Sequence, residues 1–167
     1  MVPIVEPEVL MDGDHTVDVC FSKTSDVIQK CFEELILHKV DLSGIILKPN
    51  MILAGNKSKK KISSGEVSEK TLKCLKSSVP SEVPGIAFLS GGQSEIEATE
   101  NLNLINKNNN TKFVTTYSYG RALQQEALKF WSKNKNDIEG TQKIFNHRAK
   151  MCSLAAQGKW TSKLENK

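Results

Sequence analysis

Apolar positions along the chain fall into short continuous runs that alternate with longer amphipathic stretches. Val2-Pro-Ile-Val5 is a brief β-type run that ends at Glu6-Pro7-Glu8, and a turn-rich segment, Met11-Asp-Gly-Asp14, follows it. From about Val17 to Val40 the residues Val27, Ile28, Cys31, Phe32 and Leu35 recur at i, i+1, i+4, i+5 and i+8, which is one face of a long helix. Gly44-Ile-Ile-Leu47 is a continuous run closed by Lys48-Pro49, and it reads as a strand buried on both sides. The charged stretch Gly55 to Lys61 reads as a solvated loop.

The same alternation then repeats. Ser63-x-x-Glu66 has the form of a capping box and opens a helix that buries Val67, Thr71, Cys74 and Leu75; Pro80 and Pro84 end it. Gly85-Ile-Ala-Phe-Leu89 is a third buried strand, followed by Ser90-Gly-Gly-Gln-Ser94. A second capping box, Ser94-x-x-Glu97, starts a helix through Ala98, Leu102 and Ile105, which the asparagines from Asn106 to Asn110 break. Phe113 to Tyr117 is a fourth strand, and Gly120 leads into a helix carrying Leu123, Ala127, Phe130 and Trp131. One further helix runs from about Asp137 to Gln157, and the chain ends in a polar stretch.

Four strands separated by helices imply parallel pairing with right-handed crossovers. Two closures fit that rhythm: an open doubly wound sheet, or a section of a (β/α) barrel, whose full form takes about 250 residues. At 167 residues, with 38% hydrophobic and 25% charged residues, the composition is that of a globular domain. No apolar run approaches the roughly 20 residues of a membrane helix, and the acidic, proline-containing start does not read as a secretory signal. The expectation is a cytoplasmic protein with no membrane partner.

Net charge is +4, and all the basic residues except Arg121 and Arg148 are lysines, so nothing points to nucleic acid. The cysteines, Cys20, Cys31, Cys74 and Cys152, lack CxxC spacing and lie in apolar-periodic stretches, as small buried hydrophobes do. His15, His38 and His147 share no ligand spacing with them, and no metal or other cofactor is expected.

Chemistry gathers where the strands end, and in a parallel α/β fold those ends share one face. Lys48 directly follows an apolar run. A rim lysine is partly desolvated, desolvation lowers an amine's pKa, and a neutral amine can form a Schiff base with a carbonyl. Glu6 and Glu8, two residues apart around Pro7, point the same way if strand geometry continues, and paired carboxylates can move protons. Ser90, Gly91 and Gly92 open a helix start where backbone N–H groups and the helix dipole favour an anion. Ser118, Gly120 and Arg121 repeat that arrangement and add a guanidinium able to grip phosphate through two hydrogen bonds.

These stretches together resemble class I fructose-bisphosphate aldolase, the metal-independent Schiff-base type. The resemblance rests on Val2-Pro-Ile-Val-Glu-Pro-Glu8 with Asp12-Gly-Asp-His15, Leu47-Lys-Pro-Asn-Met51, Phe88-Leu-Ser-Gly-Gly-Gln-Ser94, Asn101-Leu-Asn103 with Ile105-Asn-Lys107, and Tyr117-Ser-Tyr-Gly-Arg-Ala-Leu123. Ser153-Leu-Ala155 with Gln157-Gly-Lys159 extends it toward the end of the chain. It implies a (β/α)8 TIM barrel, of which this chain covers about the last four βα units plus a C-terminal helix, with residues 1–159 the half-barrel and 160–167 a polar tail.

The resemblance further implies Lys48 as the Schiff-base amine, Glu6 as the proton-transferring carboxylate and Glu8 in the same polar cluster. Ser90, Gly91, Gly92, Ser118, Gly120 and Arg121 would hold one substrate phosphate. The implied reaction is reversible cleavage of fructose 1,6-bisphosphate to dihydroxyacetone phosphate and glyceraldehyde 3-phosphate, in glycolysis, by a homo-oligomer that is a tetramer in the full-length family. A catalytic aspartate, further lysines and an arginine for the second phosphate belong to the family's first half, and a terminal tyrosine to its longer tail. A non-catalytic half-barrel acting as a binding or oligomerisation module is the other reading the residues leave open.

Overall fold

A computed structural model describes residues 1–166. Its elements run β1 (Ile4–Val5), α1 (Val17–Leu37), a 3-10 turn (Leu42–Gly44), β2 (Ile46–Leu47), α2 (Ser64–Ser78), β3 (Gly85–Phe88), α3 (Glu95–Asn108), β4 (Val114–Tyr117), α4 (Arg121–Lys133), α5 (Ile138–Ala156) and a second 3-10 turn (Ser162–Leu164).

The four strands form one parallel sheet in chain order, β1-β2-β3-β4. A doubly wound sheet reverses its strand order partway, whereas a barrel adds each strand to the same side. The order therefore decides between the two closures: this is a section of a barrel. Register aligns Val5, Leu47, Ile86 and Thr115 across the sheet. Leu47, Ile86 and Thr115 are buried, so this row faces the helices. The alternate row, Ile4, Ile46, Gly85 and Val114, lies on the other face, where Ile4 is 50% and Val114 70% exposed. Burial on both sides thus holds for β3 and fails at β1 and β4, because the helices cover one face only.

Helix limits follow local chemistry. Thr16 caps α1 by accepting from Val19 N–H. The helix stops at Leu37, short of Val40, because Lys39 adopts φ +57° while Lys39 and Val40 donate back to the Ile36 and Leu35 carbonyls, a Schellman ending with lysine where glycine is usual. Ser63 caps α2 through Glu66 N–H at 3.2 Å. At α3 both halves of the capping box form, Glu97 N–H to Ser94 Oγ and Ser94 N–H to Glu97 Oε2.

The asparagine stretch does not break α3 at Asn106. Asn106 Nδ2 donates to Leu102 O and Asn108 Nδ2 to Ser68 Oγ, so the helix continues to Asn108. It ends at Asn109, whose Oδ1 accepts from Thr111 N–H and Oγ.

The fourth unit differs from its sequence reading. α5 packs against both α3 and β4, burying Met151, Cys152 and Ala155, while α4 packs on α5 and α3 and buries only Ala122 and Ala127. The helix that covers β4 is α5, and the additional helix is α4. Residues 160–166, read as a polar tail, are docked. Trp160 is 5% exposed and its N–H donates to Asn103 Oδ1, and Leu164 packs against the core. No helix among the described residues is long and apolar enough to cross a membrane.

Candidate active site

Parallel pairing brings the strand ends to one end of the sheet. The β1–β2 register continues one step beyond the strands: Lys48 N–H donates to Val5 O at 2.7 Å, which sets Lys48 beside Glu6 on the face away from the helices. Lys48 Nζ donates to Glu6 Oε2 at 2.9 Å. The lysine side chain is 20% exposed, its carboxylate partner 53%. Pro7 and Pro49 follow the two residues and have no N–H groups to donate to the ladder, although Pro49 O still accepts from Leu89 N–H at 3.1 Å.

Glu8 does not join this pair; among the described residues Lys48 is bridged to Glu6 alone. It leans instead against the turn after β3, where a Cβ added at Gly91 would lie 2.7 Å from Glu8 Oε1.

The Ser90–Gln93 turn is closed by Gln93 N–H to Ser90 O at 3.1 Å, with Gly92 at φ +75°. A Cβ at Gly92 would lie 2.5 Å from the Cβ of buried Met11. Met11 O also accepts from Asn56 N–H, so the loops after β1, β2 and β3 interlock. At the α3 N-terminus behind this turn the capping box engages the N–H groups of Ser94 and Glu97, and Glu95 and Glu97 put negative charge in the first turn. The carboxylates of Glu95 and Glu97 oppose an anion at this helix start, which a capping box read from the sequence alone does not weigh.

The loop after β4 keeps the anion-favouring character expected of it. Gly120 provides no side-chain cap to α4, the first turn of the helix has no acidic residue, and exposed Arg121 opens it. Ser118 N–H donates to Phe88 O, tying this loop to the end of β3. Between them Tyr119 is buried, its ring 5.3 Å from Tyr117 and its hydroxyl donating to Ala98 O at 2.9 Å. Burial pushes the Tyr119 phenol well above its ordinary pKa, so it acts as a neutral anchor. Its hydroxyl thereby fixes the Ser118–Arg121 loop to α3.

Asn50 fastens the site, and a separate ion-pair cluster around Arg148 braces the helices behind it. Asn50, 2% exposed, accepts from Val9 N–H at 2.9 Å and donates to Thr24 Oγ1 at 3.0 Å and Met51 O at 3.1 Å. It holds the chain beyond Glu6 against the chain beyond Lys48. A polar residue directly before the apolar run Met51-Ile-Leu53 is the sequence signal for it. Arg148, 6% exposed, grips Glu165 through two nitrogens at 3.1 and 2.6 Å, donates to Thr99 Oγ1 at 3.2 Å and lies 3.5 Å from Glu95. Trp160 Nε1 donates to the same Glu165 at 2.8 Å. Arg148 shares a helix face with Met151, Cys152 and Ala155 by the i, i+3, i+4, i+7 rule, which marks it as core-facing. Cys20, Cys74 and Cys152 are free, buried thiols whose pKa burial raises.

Comparison with known proteins places this arrangement in context. The family model for class-I fructose-bisphosphate aldolase, a glycolytic family, matches residues 1–167. A probable fructose-bisphosphate aldolase class 1 from Xanthomonas campestris pv. campestris is 45% identical over 161 residues, 96% of this chain and 48% of that protein. The fructose-bisphosphate aldolase of Dictyostelium discoideum is 44% identical over 161 residues, 96% of this chain and 45% of its own. A solved structure of fructose-bisphosphate aldolase from Plasmodium falciparum, in complex with TRAP and a small molecule inhibitor, superposes with a TM-score of 0.93 at 42% identity, covering 97% of this chain and 47% of that one. The chain thus spans about half the length of the curated relatives it matches.

Proposed function

The chain belongs to the class I fructose-bisphosphate aldolase family, and from that premise we propose that it carries the Schiff-base half of the family's reaction centre. The observation that carries this reading is the Lys48–Glu6 pair at 2.9 Å on the sheet face that a complete barrel encloses. The Lys48 amine, once neutral, attacks the ketone carbon of a phosphorylated ketose. Loss of water from the adduct leaves an iminium, which draws electrons from the bond that breaks and so does the work a metal ion would otherwise do.

Glu6 is the group in reach to take the proton the amine gives up and to return it as water leaves. Glu8 adds a second carboxylate at the same end of the sheet. Ser90, Gly91 and Gly92 with Ser118, Gly120 and Arg121 hold one phosphate of the substrate, and the uncapped N-terminus of α4 with Arg121 contributes most of the attraction. The whole reaction is reversible cleavage of fructose 1,6-bisphosphate to dihydroxyacetone phosphate and glyceraldehyde 3-phosphate in glycolysis. It takes place in the cytosol, in keeping with relatives named cytosolic or cytoplasmic in Arabidopsis thaliana and Spinacia oleracea. Residues 1–159 form the catalytic half-barrel.

The test is the half-reaction that needs an imine on Lys48, one phosphate site and a carboxylate such as Glu6 to take the proton: exchange of a C3 proton of dihydroxyacetone phosphate for deuterium in D2O, followed by proton NMR. The proposal expects enamine-dependent exchange that Lys48→Ala abolishes. Exchange that is absent, or unchanged in Lys48→Ala, overturns it and favours a non-catalytic half-barrel module, the reading that the exposed Ile4 and Val114 support.

A further inference from the structure

The turn after β3 is held from behind by a contact that the proposed reaction does not use. Asn101, in α3 and 4% exposed, donates through Nδ2 to Gln93 Oε1 at 2.8 Å. Gln93 is also the residue whose N–H closes the turn on Ser90 O. Its backbone is thus tied to Ser90 and its side chain to the helix. Gly91 and Gly92 lie between these two ties, with no side chains of their own to restrain them and with Gly92 at φ +75°.

As a stabiliser this amide pair is poor. It makes one of the two hydrogen bonds that a pair of amides can exchange, and Gln93 Nε2 and Asn101 Oδ1 are left buried with no partner among the described residues. Turning both amides over reverses the bond and still strands one donor and one acceptor. The chain's own atoms enclose both orphans, so solvent does not reach them. An apolar pair of similar shape would fill the space at no loss of stability. What the amides add is a directional bond that fixes where the turn sits against α3. We propose that Asn101 is a positioning residue for phosphate binding, its bond to Gln93 holding the Ser90–Gln93 turn in the form that receives the anion. The inference rests on the reading that Ser90, Gly91 and Gly92 hold a substrate phosphate.

The experiment is an NMR titration of the isotope-labelled polypeptide with inorganic phosphate, following the backbone amides of Gly91 and Gly92. It compares the parent with Asn101→Leu, Gln93→Leu and the double variant. The dissociation constant should rise at least about fivefold in each single variant, as the anion must then order the turn itself. It should rise no further in the double variant, because all three lack the same bond. The double variant should melt no more than about 2 °C below the parent. Without phosphate, the order parameters of Gly91 and Gly92 should fall below the rigid value of about 0.85 in all three variants. A parent that shows no saturable shift overturns the reading of this turn as a phosphate site, and the inference with it. Saturable binding in the parent that the variants match overturns the inference alone. Losses that add in the double variant, or that come with a larger fall in melting temperature, overturn it as well, since they mark a merely structural role.

Discussion

Replacing Asn50 by alanine should cost about 3 kcal/mol of stability. The side chain satisfies three partners: the Val9 N–H, the Thr24 hydroxyl and the Met51 carbonyl. Each such bond contributes about 0.5–1.5 kcal/mol net, and a buried group left without a partner costs about 1–3 kcal/mol. Thr24 and Met51 are both buried, so water does not readily replace the amide. For a chain of this length the loss corresponds to a fall in melting temperature of about 6–12 °C.

Asn50→Asp sharpens the test. It keeps the volume and the acceptor for Val9 but sets a carboxylate oxygen against the Met51 carbonyl, and should cost at least as much as alanine. The assay is urea denaturation followed by circular dichroism, with exposed Asn110→Ala as a control expected within about 0.5 kcal/mol of the parent. If both Asn50 variants fall within that same margin, the claim that Asn50 fastens the strand ends carrying Glu6 and Lys48 is wrong.

Arg148→Ala leaves the half-buried Glu165 and Glu95 without their cation and should cost about 2–3 kcal/mol, read by the same denaturation. Burial alone would raise the Glu165 pKa, but the bonds from Arg148, Trp160 and His147 outweigh it and hold the carboxyl below its ordinary value. Its contribution is therefore fully present above the usual carboxylate range and is lost as pH falls through the lowered value. Glu95, raised by burial in spite of Arg148, protonates first. In a Trp131→Phe background Trp160 fluorescence should report release of the docked end on acidification, and Glu165→Gln should remove that acid step. Gly92→Ala should cost at least about 1–2 kcal/mol, since φ is positive and Met11 occupies the space, whereas Gly44→Ala, with open space around it, should be nearly neutral in the same measurement.

The strand–helix rhythm was legible because buried parallel strands are continuous apolar runs and their helices are amphipathic, and these two patterns survive in a single sequence. The nearness of Lys48 to Glu6 was legible only through the family resemblance, since the residues alone pair Glu6 with Glu8 and the register that sets Lys48 beside Glu6 is a property of the folded sheet. The partition of polar groups was not. Glu8 sits two residues from Glu6 yet leans on Gly91, because the chain leaves strand geometry at Pro7. Arg148 went unassigned because its partner Glu165 lies 17 residues on, in a stretch that is polar by composition and docked by one tryptophan and one ion pair. The roles of α4 and α5 were interchanged since both are amphipathic, and only packing shows which one covers β4.

The most direct test of the account is where an amine of this chain forms an imine. The polypeptide is incubated with dihydroxyacetone phosphate, reduced with borohydride and mapped by peptide mass spectrometry, alongside Lys48→Ala. All its other basic residues except Arg121 and Arg148 are competing lysines, so chance labelling would spread among many sites. The account predicts one stoichiometric adduct, on Lys48, that disappears in the variant. An adduct on another lysine, or labelling that persists in Lys48→Ala, would contradict it.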